Sequence, residues 1–169
     1  MALIKKGYSV SGSDLIQNKE TKSLKTLGAI IFDSQIKKNI DFVISKFQNH
    51  KINCVISSAI KNENEELYFC KKNNFSIKHR SEILAMIMKS YKSLSIAGSH
   101  GKTSTSTFLS TLLELCTHDS SSITGGIIPI YDSNAHIENT KYLVTEIDES
   151  DGTITVSYTH LTLPTKRIV

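Results

Sequence analysis

A chain of 169 residues with 39% hydrophobic side chains can bury one core or two small ones, which excludes a disordered polypeptide. Its net charge of +4 rests on lysines scattered through helical stretches, with Arg80 and Arg167 the only arginines, and this argues against a nucleic-acid footprint. Cys54, Cys70 and Cys116 lack CxxC spacing and read as free thiols in a reducing compartment; no apolar run is long enough for a membrane span and no signal-peptide core is evident.

Residues 1–6 read as the last turns of a helix, with Gly7 as its left-handed stop. Residues 8–11 follow as a strand that runs into Gly12-Ser13-Asp14. An acidic residue at such a strand end is where a doubly wound domain meets a ribose or a sugar. A helix over 20–27 stops at Gly28, a strand takes 29–32, and a helix of mixed periodicity takes 36–48. The apolar strand 53–57 enters Ser57-Ser58-Ala59-Ile60, which from its residues alone is a strand-to-helix turn with Ser58 near an N-cap. Helix 63–72, strand 76–78 and helix 81–89 come next. Ser81 is expected to cap the last helix, and Ile83, Leu84, Ile87 and Met88 to form its buried stripe. His79 has no evident partner, and Arg80 is placed either to meet a phosphate or to stay solvated. This alternation predicts a parallel α/β sheet up to a boundary near Ser90.

The stretch 93–116 carries the chemistry. A short strand at 93–97 leads into Gly98-Ser99-His100-Gly101-Lys102-Thr103. Phe108, Leu109, Leu112, Leu113 and Cys116 then recur at the spacing of a helix with one buried face. Glycines that turn backbone N–H groups inward, a helix start and a lysine together make a phosphate cradle. Every residue from 103 to 107 is Ser or Thr. These are mediocre helix formers, and their use here makes sense if the hydroxyls serve a ligand. Thr103, just after the lysine, is placed to ligate Mg²⁺. The loop is short, with Ile96 where the GxxxxGK[ST] pattern wants glycine. The bland alternative is a glycine-rich turn into a core helix.

Beyond a polar break at 118–122, residues 123–130 carry Gly125-Gly126 and Pro129 and read as a bend with some strand character. Strand 141–147 ends in Glu146, followed by Asp148, Glu149, Ser150 and Asp151. A hydrophobic strand that delivers carboxylates downstream of such a lysine suits a Mg²⁺ site beside phosphates, or a charged exit loop.

GSHGKTS resembles the ATP loop of the Mur ligases, and the histidine before the second glycine is similar to the subgroup that joins L-alanine to UDP-N-acetylmuramate. YSVSGSDL, SSAI, the His79-Arg80 helix start, Asn134-Ala135 and E-x-D-E-S-D at 146–151 resemble further segments of that subgroup. The resemblance implies a Rossmann-like parallel-sheet UDP-sugar domain over 1–90, followed by the start of a P-loop ATPase α/β domain over 91–155. Its first strand and GxGxxG turn would lie upstream of Met1, so a truncated or late-assigned N-terminus is expected. It implies a cytoplasmic enzyme of peptidoglycan synthesis, with ATP and Mg²⁺ as cofactors and no membrane insertion.

The residue roles implied are an ATP set of Gly98, Ser99, His100, Gly101, Lys102, Thr103 and Ser104, with Lys102 neutralising β/γ-phosphate charge. Thr103 and Glu146 would hold the metal, and His100 would face phosphate or serve loop conformation. Ser13, Asp14, Ser57, Ser58 and Arg80 would contact the UDP-sugar. Ser150 favours the L-alanine ligase over the sister enzyme that recycles murein tripeptide, which carries tyrosine there. The segment 156–169 leaves the family pattern and resembles an adaptor-derived sequence, so it is expected to be non-native and His160 is no metal ligand. The resemblance covers about a third of a full-length enzyme, so this chain is expected to be an incomplete, inactive piece. The competing readings are a small-molecule kinase or general P-loop NTPase, a non-catalytic nucleotide-binding module, and an NAD-dependent oxidoreductase. The last lacks a glycine fingerprint.

Overall fold

The computed structural model describes residues 1–117 and 119–147, and for Thr117 the backbone alone. Asp148 to Gly152, the segment 156–169 and His118 lie outside the described residues. The fold is α/β, as expected. In the first half, α1 (Ala2–Lys5), β1 (Ser11–Ser13), α2 (Lys19–Thr26), β2 (Ile30–Phe32), α3 (Lys37–Lys46), β3 (Asn53–Ile56), α4 (Glu65–Lys72), β4 (Ser76–His79) and α5 (Arg80–Met88) alternate. β1 pairs in parallel with β2, and β3 in parallel with β4. Parallel neighbours require a crossover, and here a helix supplies each one.

The first strand begins at Ser11 rather than at Tyr8, which is 60% exposed. Its position is fixed by pairing, with Ser11 opposite Ile30 and Ser13 opposite Phe32. Gly28, at φ +93°, ends α2 and turns the chain directly into β2. The cap of α5 is His79 rather than Ser81. Its ring accepts from the Ser81 N–H at 3.4 Å, and the Glu82 carboxylate accepts from the His79 N–H at 2.8 Å. An imidazole nitrogen does here what a hydroxyl was expected to do. The three cysteines are free thiols.

The second half is one sheet. β5 (Lys92–Ile96), β6 (Ser120–Ile128), β7 (Ser133–His136) and β8 (Tyr142–Glu146) lie in the order β5-β8-β6-β7. β8 is flanked on both edges by parallel partners, and β7 is antiparallel to β6. A strand inside such a sheet is covered on both faces, which explains the fully buried run Leu143, Val144 and Thr145. Leu143 belongs to a core cluster with Ile87, Met88, Ile137 and Ile147, joined by Leu3, Ile83 and Leu84. The end of the first half therefore packs onto the sheet of the second, and α5 buries much of the expected stripe.

Two expectations fail in this half. Ser120 to Ser122 are the buried start of β6 rather than a polar break. The strand character expected after Ile123 holds as far as Ile128, with Gly125-Gly126 inside β6 where its register to β7 shifts. The helix after the glycine loop, α6 (Lys102–Thr117), turns Ser106 and Ser110 inward and leaves Phe108, Leu112 and Leu115 exposed. Small residues let α6 lie close against β6 and β8. Its buried hydroxyls are satisfied within the helix and from β8; the Ser110 hydroxyl donates to the Ser106 carbonyl at 2.7 Å. No helix among the described residues is long and apolar enough to cross a membrane.

Candidate functional site

The site is built at the carboxyl ends of β5 and β8. Their parallel register puts Ile96 opposite Glu146, and Ile147 N–H donates to the Ile96 carbonyl at 3.0 Å, so the strands stay together as the chain leaves the sheet. The glycine loop 97–101 begins at that point. Gly101, at φ +74°, adopts a left-handed conformation that favours glycine and delivers the chain into α6, whose first residue is Lys102. The Lys102 ammonium donates to the Gly98 carbonyl at 2.7 Å, folding its charge back over the loop. His100 shares a 3.2 Å contact with the Ser99 hydroxyl, and among the described residues no hydrogen bond ties its ring to the rest of the site.

Glu146 is met by two hydroxyls from α6. Thr103 Oγ1 donates to Oε2 at 3.1 Å and Ser106 Oγ donates to Oε1 at 2.6 Å. The residue after the loop lysine and the carboxylate at the end of the neighbouring strand thus share one point in space. One carboxylate and one hydroxyl at the start of a helix suit a hard cation that takes its other ligands from phosphate and water. Among the described residues no cluster of three or more His, Cys, Asp or Glu offers an all-protein cage.

The opposite wall is β6, at the two glycines. A Cβ on Gly125 would stand 2.9 Å from Glu146 Oε2 and 3.4 Å from Thr103 Oγ1, and one on Gly126 would stand 2.6 Å from Thr103 Cγ2. Side chains there would fill the cradle, so these residues fit a metal held between Thr103 and Glu146. The sequence marks the pair only as part of a bend with some strand character, without a role in the site. Gly126→Ala is expected to cost about 1–3 kcal/mol in overpacking. It should also push Thr103 off Glu146, because a β-branched side chain has few alternative rotamers. Denaturant titration alongside Mg²⁺-dependent nucleotide binding checks both effects. Beside the cradle an open cleft of about 600 Å³ is lined by Thr103, Ser104, Thr107, Phe108, Pro129 and Ile130.

The residues expected to meet a UDP-sugar stand at or just beyond the carboxyl ends of β1, β3 and β4, where ligands of open α/β sheets bind. The side chains of Ser13, Asp14 and Ser58 are engaged within the protein. Ser13 donates to Glu66 at 2.5 Å, and Asp14 Oδ1 accepts from the Ile16 N–H at 2.9 Å. The Ser57 carbonyl accepts from Ile60 N–H at 3.1 Å, closing a turn. Ser58 Oγ lies 3.2 Å from His79 Nε2, while His79 Nδ1 lies 2.8 Å from Ser81 Oγ. His79 therefore has partners on two elements. Arg80 opens α5. Glu66 was missed in the sequence; it also accepts from buried Asn39 at 2.7 Å, tying the end of β1 to α3 and α4. Only the acidic start of α4 hinted at it.

Residues 1–92, more than half of the chain, match the family model described as "Mur ligase family, catalytic domain". A UDP-N-acetylmuramate–L-alanine ligase of Prochlorococcus marinus subsp. pastoris is 95% identical over 154 residues, covering 91% of this chain and 33% of that protein. The same-named protein of Prochlorococcus marinus strain SARG is 47% identical over 155 residues, again 33% of its length. The chain thus spans about a third of the length of the curated relatives it matches. Among solved structures, a UDP-N-acetylmuramate-alanine ligase from Thermotoga maritima superposes with a TM-score of 0.74 at 23% identity, covering 88% of this chain and 34% of that one. A UDP-N-acetylmuramate:L-alanyl-gamma-D-glutamyl-meso-diaminopimelate ligase from Neisseria reaches 0.74 at 20%, covering 86% and 47%. At those identities the likeness is one of fold, and with the family match over the first half it leads to one conclusion: the chain belongs to the Mur ligase family.

Proposed function

We propose that this chain carries the nucleotide end of an enzyme that joins L-alanine to UDP-N-acetylmuramate at the expense of ATP, a step of peptidoglycan precursor synthesis in the cytoplasm. The observation that carries the reading is the 3.1 Å meeting of Thr103 with Glu146 at the ends of two adjacent parallel strands, directly after the glycine loop. The names of the relatives at 95% and 47% identity supply the substrates. The division of labour follows the sequence: 1–90 for the UDP-sugar, with Ser13, Asp14, Ser57, Ser58 and Arg80 as its contacts, and 91–155 as the start of the P-loop ATPase domain. The complete reaction is proposed for the protein at the length of its relatives, and nucleotide binding for this chain.

A carboxylate is a poor electrophile, so it must be activated before an amine can attack it. In the proposed reaction the lactyl carboxylate of UDP-N-acetylmuramate attacks the γ-phosphorus of ATP, breaking the bond to the β-phosphate oxygen and releasing ADP. The amine of L-alanine then attacks the acyl phosphate, giving the amide and inorganic phosphate while the amine gives up a proton. Bound Mg²⁺ would spread the charge that builds on the phosphate oxygens. The rest is positioning by this chain's residues. Backbone N–H groups over 98–103 cradle phosphate, the Lys102 ammonium leaves the Gly98 carbonyl for the β/γ-oxygens, and Thr103 and Glu146 hold the metal. Ser99, His100 and Ser104 border the same phosphates.

Isothermal titration of the chain with MgATP and, separately, with UDP-N-acetylmuramate tests the reading. Binding of both is the expected result. ATP binding without the UDP-sugar would leave a plain P-loop nucleotide module, and binding of neither would remove the proposal.

A further inference from the structure

Glu146 gives its two oxygens to two very different hydroxyls. Thr103, which meets Oε2, is exposed beside the cleft; Ser106, which meets Oε1, is fully buried one helical turn further along the same face of α6. Ser106 Oγ also lies 3.0 Å from the Thr103 carbonyl. A hydroxyl has a single proton, and an ionised carboxylate at 2.6 Å is the stronger acceptor. On the other side, a Cβ at Gly125 would stand 2.9 Å from Oε2, so the glycine keeps that oxygen clear.

We infer that Ser106 is a positioning residue that ties down Glu146 Oε1, so that the carboxylate meets a divalent cation through Oε2 alone, and that it thereby sets a preference for Mg²⁺ over Ca²⁺. The inference rests on the proposed reading of Thr103 and Glu146 as the metal end of the site. Mg²⁺ demands near-ideal octahedral geometry at about 2.0–2.1 Å, whereas Ca²⁺ sits at about 2.3–2.6 Å and readily takes both oxygens of one carboxylate. A carboxylate with one oxygen pinned by a buried hydroxyl cannot swing into the two-oxygen grip that favours the larger ion. Ser106 is fully buried, so it acts through Glu146 rather than on the nucleotide.

The test titrates Mn²⁺ into the 169-residue chain with ADP, followed by electron paramagnetic resonance, and then displaces it with Mg²⁺ or Ca²⁺. Ser106→Ala is expected to weaken Mg²⁺ about tenfold, the usual loss for a partner of a metal ligand. Ca²⁺ should lose less, so that the Mg²⁺/Ca²⁺ ratio falls. Ser106→Cys, which keeps the shape but is a poor donor, should behave like the alanine variant, and Ser106→Thr should restore the ratio. Thermal melting confirms that each variant is folded. Equal losses for both ions, or an unchanged Mg²⁺ affinity, would overturn the inference. Glu146→Gln separates the two levels of argument. If it abolishes Mg²⁺ binding while Ser106→Ala does nothing, the role of Ser106 falls and the site reading stands. If Glu146→Gln changes nothing, the site reading falls and takes the inference with it.

Discussion

Lys102→Ala is expected to raise the dissociation constant for MgATP by roughly 10- to 150-fold, corresponding to the loss of about 1.5–3 kcal/mol carried by a hydrogen bond to a charged group. The effect should be confined to binding. In the nucleotide-free fold the ammonium is spent on the Gly98 carbonyl, a contact within one short loop that ties no two elements of the fold together. Removing it should therefore leave the denaturation midpoint almost unchanged. The same substitution at Lys92, exposed at the start of β5 and at the opposite end of that strand from the loop, removes an equal charge and should leave affinity unaltered at physiological salt. Titration calorimetry on the three proteins gives the comparison. Equal affinities for wild type and Lys102→Ala would take Lys102 out of the phosphate site, and equal losses for both lysines would reduce its role to bulk charge.

What could be read in the sequence depended on whether local pattern or tertiary pairing decides a feature. The alternation of strands and helices, the stop at Gly28 and the strand–loop–helix around Lys102 are local, and they stand in the structure. Thr103 and Glu146 could be paired in advance because each has its own local marker, the hydroxyl after the loop lysine and the carboxylate closing an apolar strand. The buried face of α6 could not. Apolar periodicity assumes that burial follows hydrophobicity, but this helix lies on β6 and β8 through Ser106 and Ser110 and leaves Phe108 exposed. The small side chains are what the close approach requires, and hydropathy does not record that. Gly125-Gly126 were legible in part, as strand character within a bend, but not as part of the site. A glycine pair signals a turn in isolation, yet here it is the clearance that β6 needs to pass Thr103 and Glu146. Glu66 and His79 bind partners from distant segments, Ser13 and Asn39 for one and Ser58 for the other, and beyond the acidic start of α4 their neighbourhoods do not announce it.

Leu143→Ala tests how far the site depends on the core beneath it. Leu143 is fully buried near the start of β8, three residues before Glu146, and packs with Ile87, Met88, Ile137 and Ile147. Truncating it removes apolar contact and leaves a cavity that the flanking strands β5 and β6 cannot close without breaking their ladders with β8. The expected cost is about 2–5 kcal/mol, as for other leucines cut back in a packed interior. A domain of ordinary stability holds only about 5–15 kcal/mol in reserve, so much of that margin should disappear. The midpoint in urea should fall sharply while the slope of the transition stays constant. Nucleotide affinity of the molecules that remain folded should be preserved, because the loop, Thr103 and Glu146 lie beyond the lost methyl groups. Added MgATP should then recover part of the lost stability, since a ligand that binds only the folded state shifts the balance towards it. If affinity instead falls as steeply as for Lys102→Ala while the midpoint stays put, β8 is not the rigid support that places Glu146. The placement of the carboxylate would then depend on the packing beneath β8, with its two hydroxyl partners on α6 unable to hold it alone.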